Sequence, residues 1–155
     1  MKRLLTCTFL LAAATLTAFA EKPNFTGDWT LNADKSNLGP MPPPSSMTLK
    51  VDHHDPSLTA TQTVVGGAQG DQTSTLKVTT DGKETTNDMM GQPAKTTAKW
   101  DGDALVIDIG MEVQGTEIKL TQKYSLASDG KTLTNNMHIV APQGEFDIVY
   151  VMDKK

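Results

Sequence analysis

From residue 46 onward, apolar and polar side chains alternate in short runs divided by turn residues. Met47, Leu49 and Val51 form one face opposite Thr48, Lys50 and Asp52. Leu105, Ile107 and Ile109 share another face. Ile118, Leu120, Tyr124 and Leu126 stand opposite Glu117, Lys119, Thr121 and Lys123. Leu133, Met137 and Ile139 repeat the pattern, and Phe146, Ile148, Tyr150 and Met152 oppose Glu145 and Asp147. A period of two gives each strand one buried and one wet face. Asp55-Pro56, Gly66-Gly67, Asp81-Gly82, Gly91-Gln92, Asp101-Gly102, Asp129-Gly130 and Gln143-Gly144 interrupt the runs. Asp-Gly favours a tight hairpin because both central positions tolerate positive φ. No run of ten or more residues carries a helical apolar period.

The pattern predicts ten strands, over 25–31, 46–53, 57–65, 71–80, 83–89, 93–100, 103–111, 116–127, 131–141 and 144–152. An open meander of that length would expose two long edges, and closure removes them. The expected fold class is therefore all-β, an up-and-down antiparallel β-barrel of about 8–10 strands.

Two regions depart from the alternation. Asn32 to Ser46 holds Pro40, Pro42, Pro43 and Pro44 and is expected to form an extended loop, not a central strand. Two readings stand for it: a stiff connector, or a lid over a barrel mouth with Leu38, Met41 and Met47 supplying apolar contacts. Residues 80–98 are rich in Thr, Asp, Asn and Lys on both faces. Strands there are expected to bury little, either beside a portal or as the least stable part of the sheet.

The N-terminus changes the composition. Lys2 and Arg3 precede the apolar run from Leu4 to Ala14, and Ala18-Phe19-Ala20 has the small-x-small form that signal peptidase cuts. The run is too short for a bilayer, which needs ~20 apolar residues. The expectation is a signal peptide over 1–20, cut after Ala20, and a single barrel domain over 21–155 in the periplasm or secreted. The mature chain would then have no cysteine, because Cys7 is the only one, and no arginine, because Arg3 is the only one. Its core must hold it without disulfides. Twelve lysines against 18 acidic residues leave a net charge of −6, which argues against a nucleic-acid partner. No further segment is long enough to span a membrane as a helix.

Phe25-Thr26-Gly27-Asp28-Trp29-Thr30-Leu31 opens the meander. This Gly-x-Trp strand, with the strand count, resembles the calycin superfamily, which contains the lipocalins and the intracellular fatty-acid-binding proteins. Extended through Ser36, and taken with Asp129-Gly-Lys-Thr-Leu-Thr134, it also resembles a group of small uncharacterised exported bacterial proteins. The resemblance implies that Trp29 closes one barrel end, that Gly27 permits close backbone approach, and that the cavity holds a small apolar molecule. The chain departs from the fatty-acid-binding pattern in three places. The Pro-rich loop stands where two short helices are expected. Asn37-Leu38-Gly39 replaces Asn-aromatic-acid. Ile148-Val149-Tyr150 keeps the tyrosine of the carboxylate-gripping Arg-x-Tyr and lacks its arginine.

Candidate chemistry is sparse. Asp52-His53-His54-Asp55 carries metal-ligand residue types, but adjacent strand residues point to opposite faces, and the expected reading is a solvated turn with no metal. Gly-x-Ser-x-Gly is missing, and Asp101-x-Asp103 reads as turn chemistry, so no catalytic residue and no cofactor are assigned. The expected protein is not an enzyme. Inward amides are more telling: Gln62, Gln122 and Asn135 share faces with apolar residues. They either pair with one another or line a hydrated cavity. The candidate ligand-lining set is Trp29, Gln62, Trp100, Gln122, Tyr124, Asn135, Met137 and Tyr150, with Leu38 and Met41 as a possible lid. The expected function is an exported binding protein that sequesters or carries a small, mostly apolar molecule. The alternative is an exported interaction or inhibitor module on a filled barrel, working through its loops.

Overall fold

In the computed structural model, residues 21–68, 70–89 and 91–155 are described, and the expected signal peptide lies outside them. Ten strands form: β1 Gly27–Leu31, β2 Ser46–His54, β3 Ser57–Gly67, β4 Gly70–Thr79, β5 Thr85–Met89, β6 Gln92–Asp101, β7 Ala104–Val113, β8 Thr116–Leu126, β9 Thr132–Ala141 and β10 Gly144–Lys154. They pair in the order β4-β3-β2-β1-β10-β9-β8-β7-β6-β5, every pair antiparallel. The all-β meander is as the alternation predicts. Turn residues set the strand ends to within a few positions.

A sheet in that order leaves β4 and β5 as its free edges, and side chains join them. Asn87 of β5 accepts from the Lys77 backbone N–H at 2.7 Å and donates to the Lys77 carbonyl at 3.0 Å. Its amide thus copies the two hydrogen bonds that a partner strand would make. Thr85 Oγ1 donates to the same carbonyl at 3.1 Å. Beyond β4 the chain reaches β6 directly, where Gly82 N–H donates to the Ala98 carbonyl at 2.9 Å. The barrel is closed by these bonds where the backbone ladder stops.

The expectation that residues 80–98 bury little is corrected. Asn87, Ala94, Thr96 and Ala98 are all buried. Ala94, Thr96 and Ala98 pair directly with Met111, Ile109 and Ile107 of β7. Small side chains on β6 make room for large ones on β7, so a run with little apolar surface still lies in the core.

Phe25 also departs from expectation. It lies ahead of β1, outside the ladder, and is fully buried. Its ring stacks against His53 and Trp100 at centroid distances of 5.7 and 5.9 Å and meets Tyr124 edge-on at 6.0 Å. Trp29 Nε1 donates to the Phe25 carbonyl at 3.0 Å, fixing the segment across the barrel end. Lys22 covers the outside, donating to the Gly102 carbonyl at 2.7 Å with its ammonium 5.5 Å from the Trp100 ring centre. One barrel end is therefore sealed by aromatic packing.

Gly27 serves this seal. A Cβ there would lie 2.7 Å from Lys154 Cε, and the backbone has φ +154°. The Lys154 side chain passes through that space to place its ammonium 5.2 Å from the centre of Trp29.

Two outcomes follow. Phe25→Ala should destabilise the protein by about 3–5 kcal/mol in chemical denaturation, the usual cost of deleting a buried aromatic ring. Asn87→Ala should cost about 1 kcal/mol by leaving part-buried backbone groups of Lys77 without their partner, and should speed hydrogen exchange at the Lys77 amide more than at β8 amides.

Candidate ligand-binding site

The strands carry their residues from the sealed end to an opposite, looser end. Near the β2–β3, β6–β7 and β8–β9 turns, Leu58, Leu105 and Leu133 are fully enclosed. At the other end Val64, Met89, Val113, Ile118 and Leu120 are only partly buried, and Met41 and Phe146 are exposed. This is the barrel mouth.

The Pro-rich loop lies across it. After β1 the chain stays hydrogen-bonded to β10: Asn32 N–H donates to the Val151 carbonyl, and Asn37 exchanges two bonds with Val149 at 2.8 and 2.7 Å. Between these points a 3-10 turn, Ala33–Lys35, is capped by Asn32, whose side chain accepts from Lys35 N–H at 3.2 Å. Ser36 Oγ donates to the Asn32 carbonyl and accepts from Val151 N–H at 2.9 Å. The loop is thus tied to β10 on one side, and residues 38–45 cross to β2 without regular backbone bonding.

Beneath that crossing Leu38, Met41, Pro42 and Pro44 face Met47, Val64 and Tyr150 around a pocket of about 90 Å³. The lid candidates Leu38 and Met41 and the lining candidate Tyr150 thus meet in one place. A second concavity of about 510 Å³ includes Asp28, Thr48, Lys50, Thr61 and Thr63. Its threonines and Lys50 are on the outward face of β2 and β3, so it belongs to the outer wall, and the predicted lining residue Trp29 borders it together with Leu49.

The remaining candidates fall into two groups. Trp29, Trp100 and Tyr124 belong to the sealed end, where they contact or bond to Phe25. Gln62, Gln122, Asn135 and Met137 lie between seal and mouth. Gln122 and Asn135 are buried at 7% and 4% exposure, whereas Gln62 and Met137 are half-buried. Asn135 is paired with Tyr124 across β8–β9 and with Tyr150 across β9–β10. Barrel strands tilt, so this hydrogen-bonded row climbs from the sealed end at Tyr124 to the mouth at Tyr150. Burial pushes both tyrosine hydroxyls above their ordinary range, and both stay neutral.

The expectation of a solvated turn at Asp52–Asp55 is half corrected. His54 is exposed, and its Nδ1 lies 2.8 Å from Asp52 Oδ1. His53 is turned inward by strand alternation and is 2% exposed. Its Nδ1 accepts from Phe25 N–H at 3.3 Å, and its Nε2 stands 3.6 Å from Asp55 Oδ1. Among the described residues, no group of three or more His, Cys, Asp and Glu is placed to hold a metal ion. The signal that could have placed His53 was its register, one step beyond Val51 on the buried face of β2.

Asp55 is held below the usual carboxylate range, first by the hydrogen bond from Thr80 Oγ1; burial opposes this, and the nearby His53 and Trp100 add smaller lowering effects. A carboxylate with a lowered folded pKa adds stability above its unfolded pKa, and that stability is lost as pH falls through the folded value. Asp55→Asn should therefore be less stable than the parent near neutrality. The gap in melting temperature between the two proteins should narrow as pH falls below about 4, the ordinary carboxylate value, and through the lower folded value.

No family model matches the chain, and no curated protein matches it. Solved structures do. Zebrafish ileal bile acid-binding protein, complexed with cholic acid, is 16% identical, with 84% of this chain and 98% of that chain covered and a TM-score of 0.59. A secretory abundant heat soluble protein from Ramazzottius varieornatus is 12% identical, with 84% and 94% covered and a TM-score of 0.61. At such identities the likeness shows the fold alone: a ten-stranded antiparallel β-barrel like those of these two proteins.

Proposed function

We propose that this chain is an exported binding protein that carries or sequesters a small, mostly apolar molecule, taken in at the barrel mouth beneath the Pro-rich loop. The observation that carries the proposal is the unequal packing of the two ends. The sealed end is filled by Phe25, Trp29 and His53, with Trp100 stacked partly buried on Phe25, whereas the mouth keeps half-buried apolar side chains around a pocket. Folding normally buries such side chains, and leaving them partly open at a concave site suits a ligand. The zebrafish relative in fold is complexed with cholic acid, an amphipathic molecule, which supports the same reading. Export rests on the N-terminal signal pattern, and the net charge of −6 without arginine suits a soluble mature product.

The pocket of about 90 Å³ is below the ~300 Å³ at which drug-sized sites begin. Residues 38–45 must therefore lift or repack when ligand enters. The small pocket also favours one rival, a filled barrel that works through its loops as an interaction module.

Native mass spectrometry decides between them. The exported protein, purified without detergent from its own host, should have the mass of residues 21–155 plus an adduct that vanishes on denaturation. A bare mass that persists after a lipid extract is added would overturn the carrier reading and favour the interaction module. Met47→Trp, which fills the pocket, should lower adduct occupancy severalfold while changing stability by about 1–3 kcal/mol at most.

A further inference from the structure

The polar lining between seal and mouth defines what kind of head group the ligand carries. This step rests on the carrier reading above.

Asn135 is 4% exposed, and its Oδ1 has no hydrogen-bond partner. Its Nδ2 donates to Gln122 Oε1 across 3.4 Å, a long bond, so the amide pair is only partly satisfied from within the protein. A buried carbonyl oxygen left unpaired costs about 1–3 kcal/mol, and it asks for a donor. Asn135 is the direct cross-strand neighbour of Tyr150, which lines the mouth pocket. Directly opposed strand residues stand roughly 5 Å apart. Asn135 does not line that pocket, so a molecule reaches it only by passing Tyr150 onto the neighbouring strand.

Charge narrows the class. The described residues contain no arginine, and every lysine is exposed. Lys95, Lys99, Lys119 and Lys123 sit at outward positions of β6 and β8, and Lys154 is on the rim of the sealed end over Trp29. A carboxylate head would arrive with no cation to meet it and would face the free carbonyl oxygen of Asn135, having lost its water. An ammonium head fares no better. Asp108, Glu112, Asp147 and Glu117 occupy outward positions by strand alternation, beside inward Ile109, Met111, Ile148 and Ile118. A hydroxyl suits the site. Its proton satisfies Asn135 Oδ1, and the amide nitrogen of Gln122 carries the donors that its oxygen can accept.

We propose that the ligand is an uncharged amphiphile with a hydroxyl head, an alcohol and not an acid, and that Asn135, braced by Gln122, receives the hydroxyl.

The test uses the exported protein at neutral pH, loaded with the neutral dye Nile red, which decan-1-ol or decanoate then displaces. The two competitors share a chain length and differ in head group. Decan-1-ol should displace the dye at a concentration at least about tenfold lower, the effect of roughly one charge-desolvation step in favour of the alcohol. Asn135→Leu should weaken decan-1-ol about five- to tenfold, the size of one hydrogen bond, and leave decanoate within twofold. Decanoate binding as tightly as the alcohol would overturn the proposal and leave the carrier reading standing. So would an N135L variant, folded by near-ultraviolet circular dichroism, with unchanged alcohol affinity. The comparison on the parent protein is decisive even where N135L does not fold. Failure of Nile red and of both competitors to bind at all would sink the carrier reading and this proposal with it.

Discussion

The packing of Phe25 into the end of the barrel is the interaction on which the rest depends. A barrel without disulfides must fill its own interior, and ten strands enclose more space than their inward side chains fill evenly. Here the space is filled from one end. Phe25 enters as a wedge, His53 and Trp100 stack on it, Tyr124 meets its edge, and Trp29 ties its carbonyl. With that end sealed, the unfilled volume is pushed to the other. The sealed end holds the strands in register, and the opposite end can keep a pocket and a loop that is tied down on one side only.

Buried polar groups are satisfied unevenly along the barrel. At the seal some polar atoms are locked, Trp29 Nε1 on Phe25, Thr26 Oγ1 on the His53 carbonyl and His53 Nδ1 on Phe25, while His53 Nε2 and Trp100 Nε1 are buried without a hydrogen-bond partner. Between seal and mouth the account is incomplete, with Asn135 Oδ1 and Thr96 Oγ1 both buried and unpaired. Unpaired buried groups are rare in folded proteins and call for a physical reason. A site that is completed by an entering molecule supplies one. The closure at β4 and β5 shows the opposite economy, where one amide, Asn87, stands in for a missing strand pair and leaves neither side unsatisfied.

Much of the fold was legible in the alternation, because the period of two in β2, β7, β8, β9 and β10 is read directly as inside and outside. The misreadings have physical causes. Phe25 shares the parity of Gly27 and Trp29, so the pattern cannot separate a first strand residue from a wedge just ahead of the strand. Thr, Asn and Ala on β5 and β6 look too polar or too small for a core, yet Ala94, Thr96 and Ala98 are the complement of Met111, Ile109 and Ile107 across the ladder. His53 looked like part of a wet turn because its neighbours His54, Asp52 and Asp55 are wet. Burial at a strand end depends on what covers that end, and the cover comes from Phe25, 28 residues away in sequence. The amides Gln122 and Asn135 were visible as inward residues. Their mutual bond and the unpaired oxygen belong to cross-strand register, which a single sequence does not state.

The central claim is that one end is sealed and the other receives the ligand. Methyl NMR on methionines labelled with carbon-13 reads both ends at once, because Met41 and Met47 line the mouth pocket while Met152 is enclosed near the seal. Titration with Nile red should shift the Met41 and Met47 methyl signals and leave Met152 in place. A shift confined to Met152, or no shift at any of the three while the dye is bound, would contradict the account.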